Sequence, residues 1–141
     1  MSFNKRIAGV DEVGRWCIAG PVVAAAVIFK RGINLKFIRD SKKIPFKERI
    51  EISEYIKKNS FYSVGTSSVK EIFQLNILGA SLLAMKRAIL KLSIKPSLVL
   101  IDGIFAPEGL KNFKTIIKGD EKVKIISAAS IVAKSYRDLL M

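Results

Sequence analysis

Histidine is absent from these 141 residues, and cysteine occurs once, as Cys17. Without histidine there can be no Ser–His or Cys–His nucleophile and no imidazole metal site. A lone cysteine rules out an intrachain disulfide and a structural zinc cluster, and a reducing cytosol is the simplest setting. Long apolar runs are missing too. The longest, Ala19 to Phe29, is interrupted by Gly20 and Pro21 and is too short to span a bilayer. Only a few apolar residues separate Arg6 from Asp11, so no signal peptide is read. A cytoplasmic protein with no membrane partner is the expectation. Acids are scarce as well: 12 Asp and Glu stand against 25 Lys and Arg, a net charge of +13. Any catalysis must therefore run on carboxylates, lysines, hydroxyls or a metal held by oxygen.

Half of the residues are hydrophobic, enough to bury a core within one domain covering residues 1–141. The excess positive charge has two readings. It suits a polyanionic partner, and it also follows from a lysine-rich composition with no partner at all.

Short strands are expected over Arg6–Asp11 and Gly20–Phe29, forming an antiparallel hairpin with a long turn. Asp40-Ser41-Lys42-Lys43 reads as a polar loop, and Pro45 suits the first turn of a helix running to about Lys58. Tyr62, Val64 and Thr66 alternate as a third strand would. Ser68 and Glu71 have capping-box spacing. From there Leu75, Leu78, Leu82, Met85, Ile89 and Leu92 predict one continuous apolar helical stripe. Ser97–Ile101 predicts a strand buried on both faces, ending at Asp102. Thr115–Asp120 predicts a further strand, and Ser127–Leu140 a final helix. The order implies a mixed sheet flanked by helices, an α/β domain.

Three of these strand-like runs end in acids: Asp11 with Glu12, then Asp102, then Asp120. Strand ends are where open α/β sheets bind ligands. Converging carboxylates repel one another unless a cation lies between them, and an all-oxygen set suits Mg²⁺ or Mn²⁺. Two such ions about 3.5–4 Å apart could activate water and stabilise the leaving oxygen of a phosphodiester. An acidic site on a basic protein is the charge pattern of a nuclease. Each acid taken singly has a plainer reading, as a turn former or helix N-cap.

The ordered segments resemble bacterial ribonuclease HII. They begin with Ile7-Ala8-Gly9-Val10-Asp11-Glu12-Val13-Gly14-Arg15 and Ala19-Gly20-Pro21-Val22-Val23-Ala24-Ala25-Ala26-Val27. Asp40-Ser41-Lys42-Lys43, Asn76-Ile77-Leu78 with Ala84-Met85-Lys86-Arg87-Ala88, and Leu100-Ile101-Asp102-Gly103 follow. Lys118-Gly119-Asp120 and Ser127-Ala128-Ala129-Ser130-Ile131-Val132-Ala133-Lys134, with Arg137-Asp138, complete the set. Arg15 favours ribonuclease HII over ribonuclease HIII, which typically has lysine there.

The resemblance implies a ribonuclease H-like fold, and an endonuclease that cuts the RNA strand of RNA–DNA hybrids and DNA 5′ to embedded ribonucleotides. It implies Mg²⁺ or Mn²⁺ held by Asp11, Glu12, Asp102 and Asp120, and a monomer. Gly14 and Arg15 fill the first two positions of the loop that reads the ribose 2′-hydroxyl. Lys42 and Lys43 match phosphate-contacting lysines. Ser130 and Lys134, four apart on one helix face, match further contacts to the substrate backbone. Asp138 is read as structural. The chain departs from the family at Trp16, where glycine is usual, and at Phe73, usually acidic. Family members also continue for several dozen residues past the position of Met141, including C-terminal helices and a stacking tyrosine. These departures leave a second reading open, a catalytically impaired hybrid-binding protein of the same fold.

Overall fold

The computed structural model describes residues 6–14 and 20–141. Strand β1 (Ile7–Val13) lies antiparallel to β2 (Val22–Phe29), with Asp11 opposite Ala25. β3 (Ser60–Ser67) continues antiparallel beyond β2. On its other side β1 pairs in parallel with β4 (Leu98–Asp102), which pairs in parallel with β5 (Phe113–Ile116). The sheet order is β3-β2-β1-β4-β5, a mixed sheet as expected.

Helices cover both faces. Helix α1 (Phe46–Lys58) precedes β3, and α2 (Val69–Lys91) follows it. After β5 come a single turn, α3 (Gly119–Lys122), and then α4 (Lys124–Leu140). One core lies under α2, where Ala84, Met85 and Ala88 meet Val10, Ala24, Ala26 and Ile101. The second joins Val23, Ala25 and Val27 to Ile52 and Ile56 of α1 and Ile131 and Val132 of α4. β2, all Val and Ala before its last two residues, is buried on both faces because both layers rest on it. Close approach needs glycine in each layer. A Cβ on Gly9 would stand 2.2 Å from the Ile125 carbonyl oxygen of α4, and one on Gly65 would stand 2.2 Å from that of Ala84 in α2.

Several expected elements differ, beginning with β1, which runs past its expected end at Asp11 through Glu12 to Val13. The apolar stripe of α2 forms only beyond Asn76, where Leu82, Met85, Ile89 and Leu92 pack into the core; Asn76 itself is non-helical (φ 60°, ψ 176°) and its side chain accepts from the Gly79 amide at 2.9 Å, capping a new helical segment. The capping box of Ser68 and Glu71 is present. Beyond it, however, Glu71 forms a two-pronged ion pair with Arg87, at 2.6 and 2.7 Å. Sixteen residues of straight helix would separate them by roughly 24 Å. The first segment must therefore fold back at Asn76 over the second. Leu75 is left exposed and Phe73 is 86% exposed, while Ala80, Ala84 and Ala88 take the buried face. By length and composition α2 could cross a membrane. The break at Asn76 leaves residues 77–91 as its straight part, packed by one face on the sheet, as a core helix is.

β4 alternates rather than being buried throughout: Val99 and Ile101 face the α2 core, and Leu98 and Leu100 are half-buried on the other side. The fifth strand stops at Ile116, so Asp120 belongs to the first turn of α3 rather than to a strand end. The polar loop at Asp40 is a 3₁₀ turn over Ser41–Lys43, with the Asp40 carboxylate accepting from the Lys42 amide.

Candidate metal centre

Parallel pairing of β1 and β4 decides the site. Val10 stands opposite Ile101, so Asp11 and Asp102 are the next residues along two adjacent strands. Asp11 shares the α4 face of β1 with Gly9, by strand alternation. Asp120 arrives from α3. Its chain enters that turn through Lys118, which takes a left-handed conformation (φ 55°). The Asp120 amide donates to Asp102 Oδ1 at 3.2 Å, and its carbonyl accepts from Ser127 Oγ of α4 at 2.6 Å. One carboxylate oxygen each from Asp11, Asp102 and Asp120 lies within 4.8 Å of the others.

Asp11 and Asp120 are buried. Burial, then the Asp102 and Glu12 carboxylates, hold the Asp11 carboxyl well above its ordinary value. Burial and Asp102 likewise raise Asp120, against the opposing pull of Lys42. These groups are electrostatically uncomfortable as a metal-free cluster. An all-oxygen donor set with surplus negative charge fits a hard divalent cation.

Glu12 is not in this trio. Strand alternation turns it toward the other face of β1, where its partner is Ala24. It still lines the cleft that opens over the aspartates, a space of about 360 Å³. Asp11 Oδ1 accepts from the Glu12 amide at 2.8 Å, which fixes the aspartate rather than the glutamate.

Lys42 reaches into the cleft from the 3₁₀ turn, its Nζ 3.6 Å from Asp120 Oδ2, and that carboxylate raises the lysine's pKa. Lys43, next along the turn, is exposed and does not line the cleft. Ser130 and Lys134 of α4 do line it. Ser130 is buried, its hydroxyl 2.9 Å from that of Ser41, and Lys134 lies 3.7 Å from Asp138 Oδ1. Gly14 lies at the cleft with φ +98°, where a Cβ would meet the Pro21 carbonyl at 2.8 Å and the Arg137 side chain at 2.6 Å. Arg15 and Trp16 lie outside the described residues.

The sequence reading missed Arg49, which lines the cleft and pairs with Asp138 at 3.1 Å. Nothing local marks that contact, since the two residues are 89 positions apart. Asp138, read from the sequence as structural, pairs with Arg49 and Lys134.

Residues 8–141 match the sequence model of the family Ribonuclease HII. A ribonuclease HII of Pelagibacter ubique (strain HTCC1062) is 60% identical over 136 residues, covering 95% of this chain and 73% of the relative. One from Coxiella burnetii (strain Dugway 5J108-111) is 48% identical over 136 residues, covering 96% and 67%. In three dimensions the chain is similar to the ribonuclease H2 of Pyrococcus horikoshii OT3, with a TM-score of 0.78 at 27% identity, over 95% of this chain and 72% of that one.

Proposed function

Because the chain belongs to the ribonuclease HII family, we propose that it cleaves the RNA strand of RNA–DNA hybrids, and DNA on the 5′ side of embedded ribonucleotides. The products carry 3′-hydroxyl and 5′-phosphate ends. Residues 1–141 act as a catalytic domain of the ribonuclease H type. The observation that carries this reading is the convergence of Asp11, Asp102 and Asp120 within 4.8 Å at the floor of a cleft, in a chain of net charge +13.

Asp11, Asp102 and Asp120 would hold Mg²⁺ or Mn²⁺, and Glu12 would complete the set from the cleft wall. When bound, such ions supply activated water and stabilise the leaving oxygen of the phosphodiester. The rest is done by the chain. Asp11 is fixed by the Glu12 amide and Asp120 by the Ser127 hydroxyl at its carbonyl, so the donor oxygens are placed before substrate arrives. Lys42 and Lys134 sit where a phosphate entering the cleft would meet positive charge. Lys43 would contact the backbone from outside it, and Ser130 would contact it from the cleft wall. Gly14 and Arg15 would select the ribonucleotide by close backbone approach to the 2′-hydroxyl, the group that distinguishes RNA from DNA.

A gel assay tests this with three duplexes: an RNA–DNA hybrid, a DNA duplex with one ribonucleotide, and DNA alone. Cleavage of the first two, dependent on Mn²⁺ or Mg²⁺, is expected. Equal cleavage of all-DNA duplex would replace the reading with a general nuclease. Metal-independent behaviour with tight hybrid binding would replace it with a binding protein.

A further inference from the structure

The side chain of Arg49 joins three parts of the cleft that are far apart in sequence. Its Nη1 lies 3.5 Å from the Ser41 carbonyl and 3.4 Å from the Ile44 carbonyl, at the two ends of the turn that carries Lys42. Its Nη2 donates to Asp138 Oδ2 of α4 at 3.1 Å. The side chain is only 13% exposed. The turn's other tie to α4 is the Ser41–Ser130 hydroxyl pair.

We infer that Arg49 is a positioning residue for nucleic-acid binding: its forked guanidinium clamps the Ser41–Lys43 turn to α4 and so aims Lys42 into the cleft. The inference rests on the proposed function, since it needs a phosphate backbone for Lys42 to meet. The physical basis is the planar fork. A guanidinium presents several fixed donors and can span two carbonyls and a carboxylate at once, which a lysine ammonium cannot do in the same geometry. A turn of three residues held at both ends has little freedom to swing its lysine away. Lys42 stands 3.6 Å from Asp120, so a small displacement of the turn would remove it from the metal-binding floor. Asp138 has a second role in this arrangement. It accepts from Arg49 by one oxygen and approaches Lys134 with the other.

The test is a double-mutant cycle read by fluorescence anisotropy on an RNA–DNA hybrid, with Ca²⁺ in place of Mg²⁺. Arg49→Ala and Lys42→Ala should each weaken binding about tenfold and each reduce the slope of log affinity against log salt by about one unit. The double variant should be no weaker than Lys42→Ala alone, because the clamp acts through the lysine. Arg49→Lys keeps the charge facing Asp138 and guards against a folding defect in the alanine variant. It should still bind about as weakly as Arg49→Ala, with a cooperative thermal melt showing that it is folded. Independent, additive losses would overturn the inference, as would full affinity in Arg49→Lys. If the parent chain fails to bind any hybrid, the proposed function itself falls. A parent that binds normally while Arg49→Ala changes nothing sinks only the clamp.

Discussion

Asp11 is a buried acid on a central strand, with Asp102 on the neighbouring strand and Glu12 next in sequence. Burial and those neighbours raise its pKa, so the folded, metal-free protein holds a proton there that the unfolded chain would release. For an acid raised in this way, stability falls as pH rises through the folded value and is regained on acidification. The metal-free chain should therefore melt at a higher temperature at mildly acidic pH than at neutrality. Asp11→Asn should raise the neutral melting temperature of the metal-free protein and flatten that dependence, while abolishing cleavage. Differential scanning calorimetry in EDTA across this range measures it; a variant that melts lower than the parent at neutrality would show that Asp11 is a structural acid. A gain in stability on Asp11→Asn is what a functional residue gives, where local stability is given up for chemistry.

At the scale of elements, the site depends on how closely α4 lies on β1. Gly9→Ala would put a methyl carbon against the Ile125 carbonyl, where nothing but backbone can yield. Overpacking of this kind costs about 1–3 kcal/mol. Because α4 carries Ser127, which holds the Asp120 carbonyl, the same change should also weaken metal affinity. Urea denaturation and a metal titration on Gly9→Ala check both effects, and retention of full affinity would uncouple the helix from the site. The folded-back start of α2 supplies a second case. Arg87 and the Ser68 amide hold the Glu71 carboxyl at about 2, below its ordinary value. A depressed acid contributes stability that is fully present above its unfolded value and is lost as pH falls toward the folded one. Glu71→Gln should lower the melting temperature at neutral pH, with the difference closing as pH falls through about 2. A difference that persists unchanged at that pH would mean the ion pair does not hold the fold-back.

At the scale of the whole molecule, 25 basic residues against 12 acids surround a cluster that is itself negative. Binding to a duplex should therefore be salt-sensitive. With roughly six phosphate contacts, affinity should fall on the order of a thousandfold between low and moderate salt, and a flat fluorescence titration would refute it. The same scale shows what the sequence made legible. Short-range periodicity located the three antiparallel strands and the helices, and it placed Asp102 at the end of β4, whereas β1 continues past Asp11 to Val13. The orientation of Glu12 was also readable from alternation, yet adjacency to Asp11 suggested otherwise. Periodicity could not foresee the reversal at Asn76, since leucine spacing continues unbroken across it. Nor could it place Asp120 in a helical turn, or join Arg49 to Asp138, because those depend on tertiary contacts between distant segments.

The proposed activity requires Asp11, Asp102 and Asp120 to form one cation site, and a calorimetric Mn²⁺ titration of the parent chain beside Asp102→Asn tests that most directly. Saturable binding by the parent, with a matching rise in melting temperature, is predicted, and both should be lost in a variant that remains folded. Undiminished Mn²⁺ binding by Asp102→Asn, or none by the parent, would contradict it.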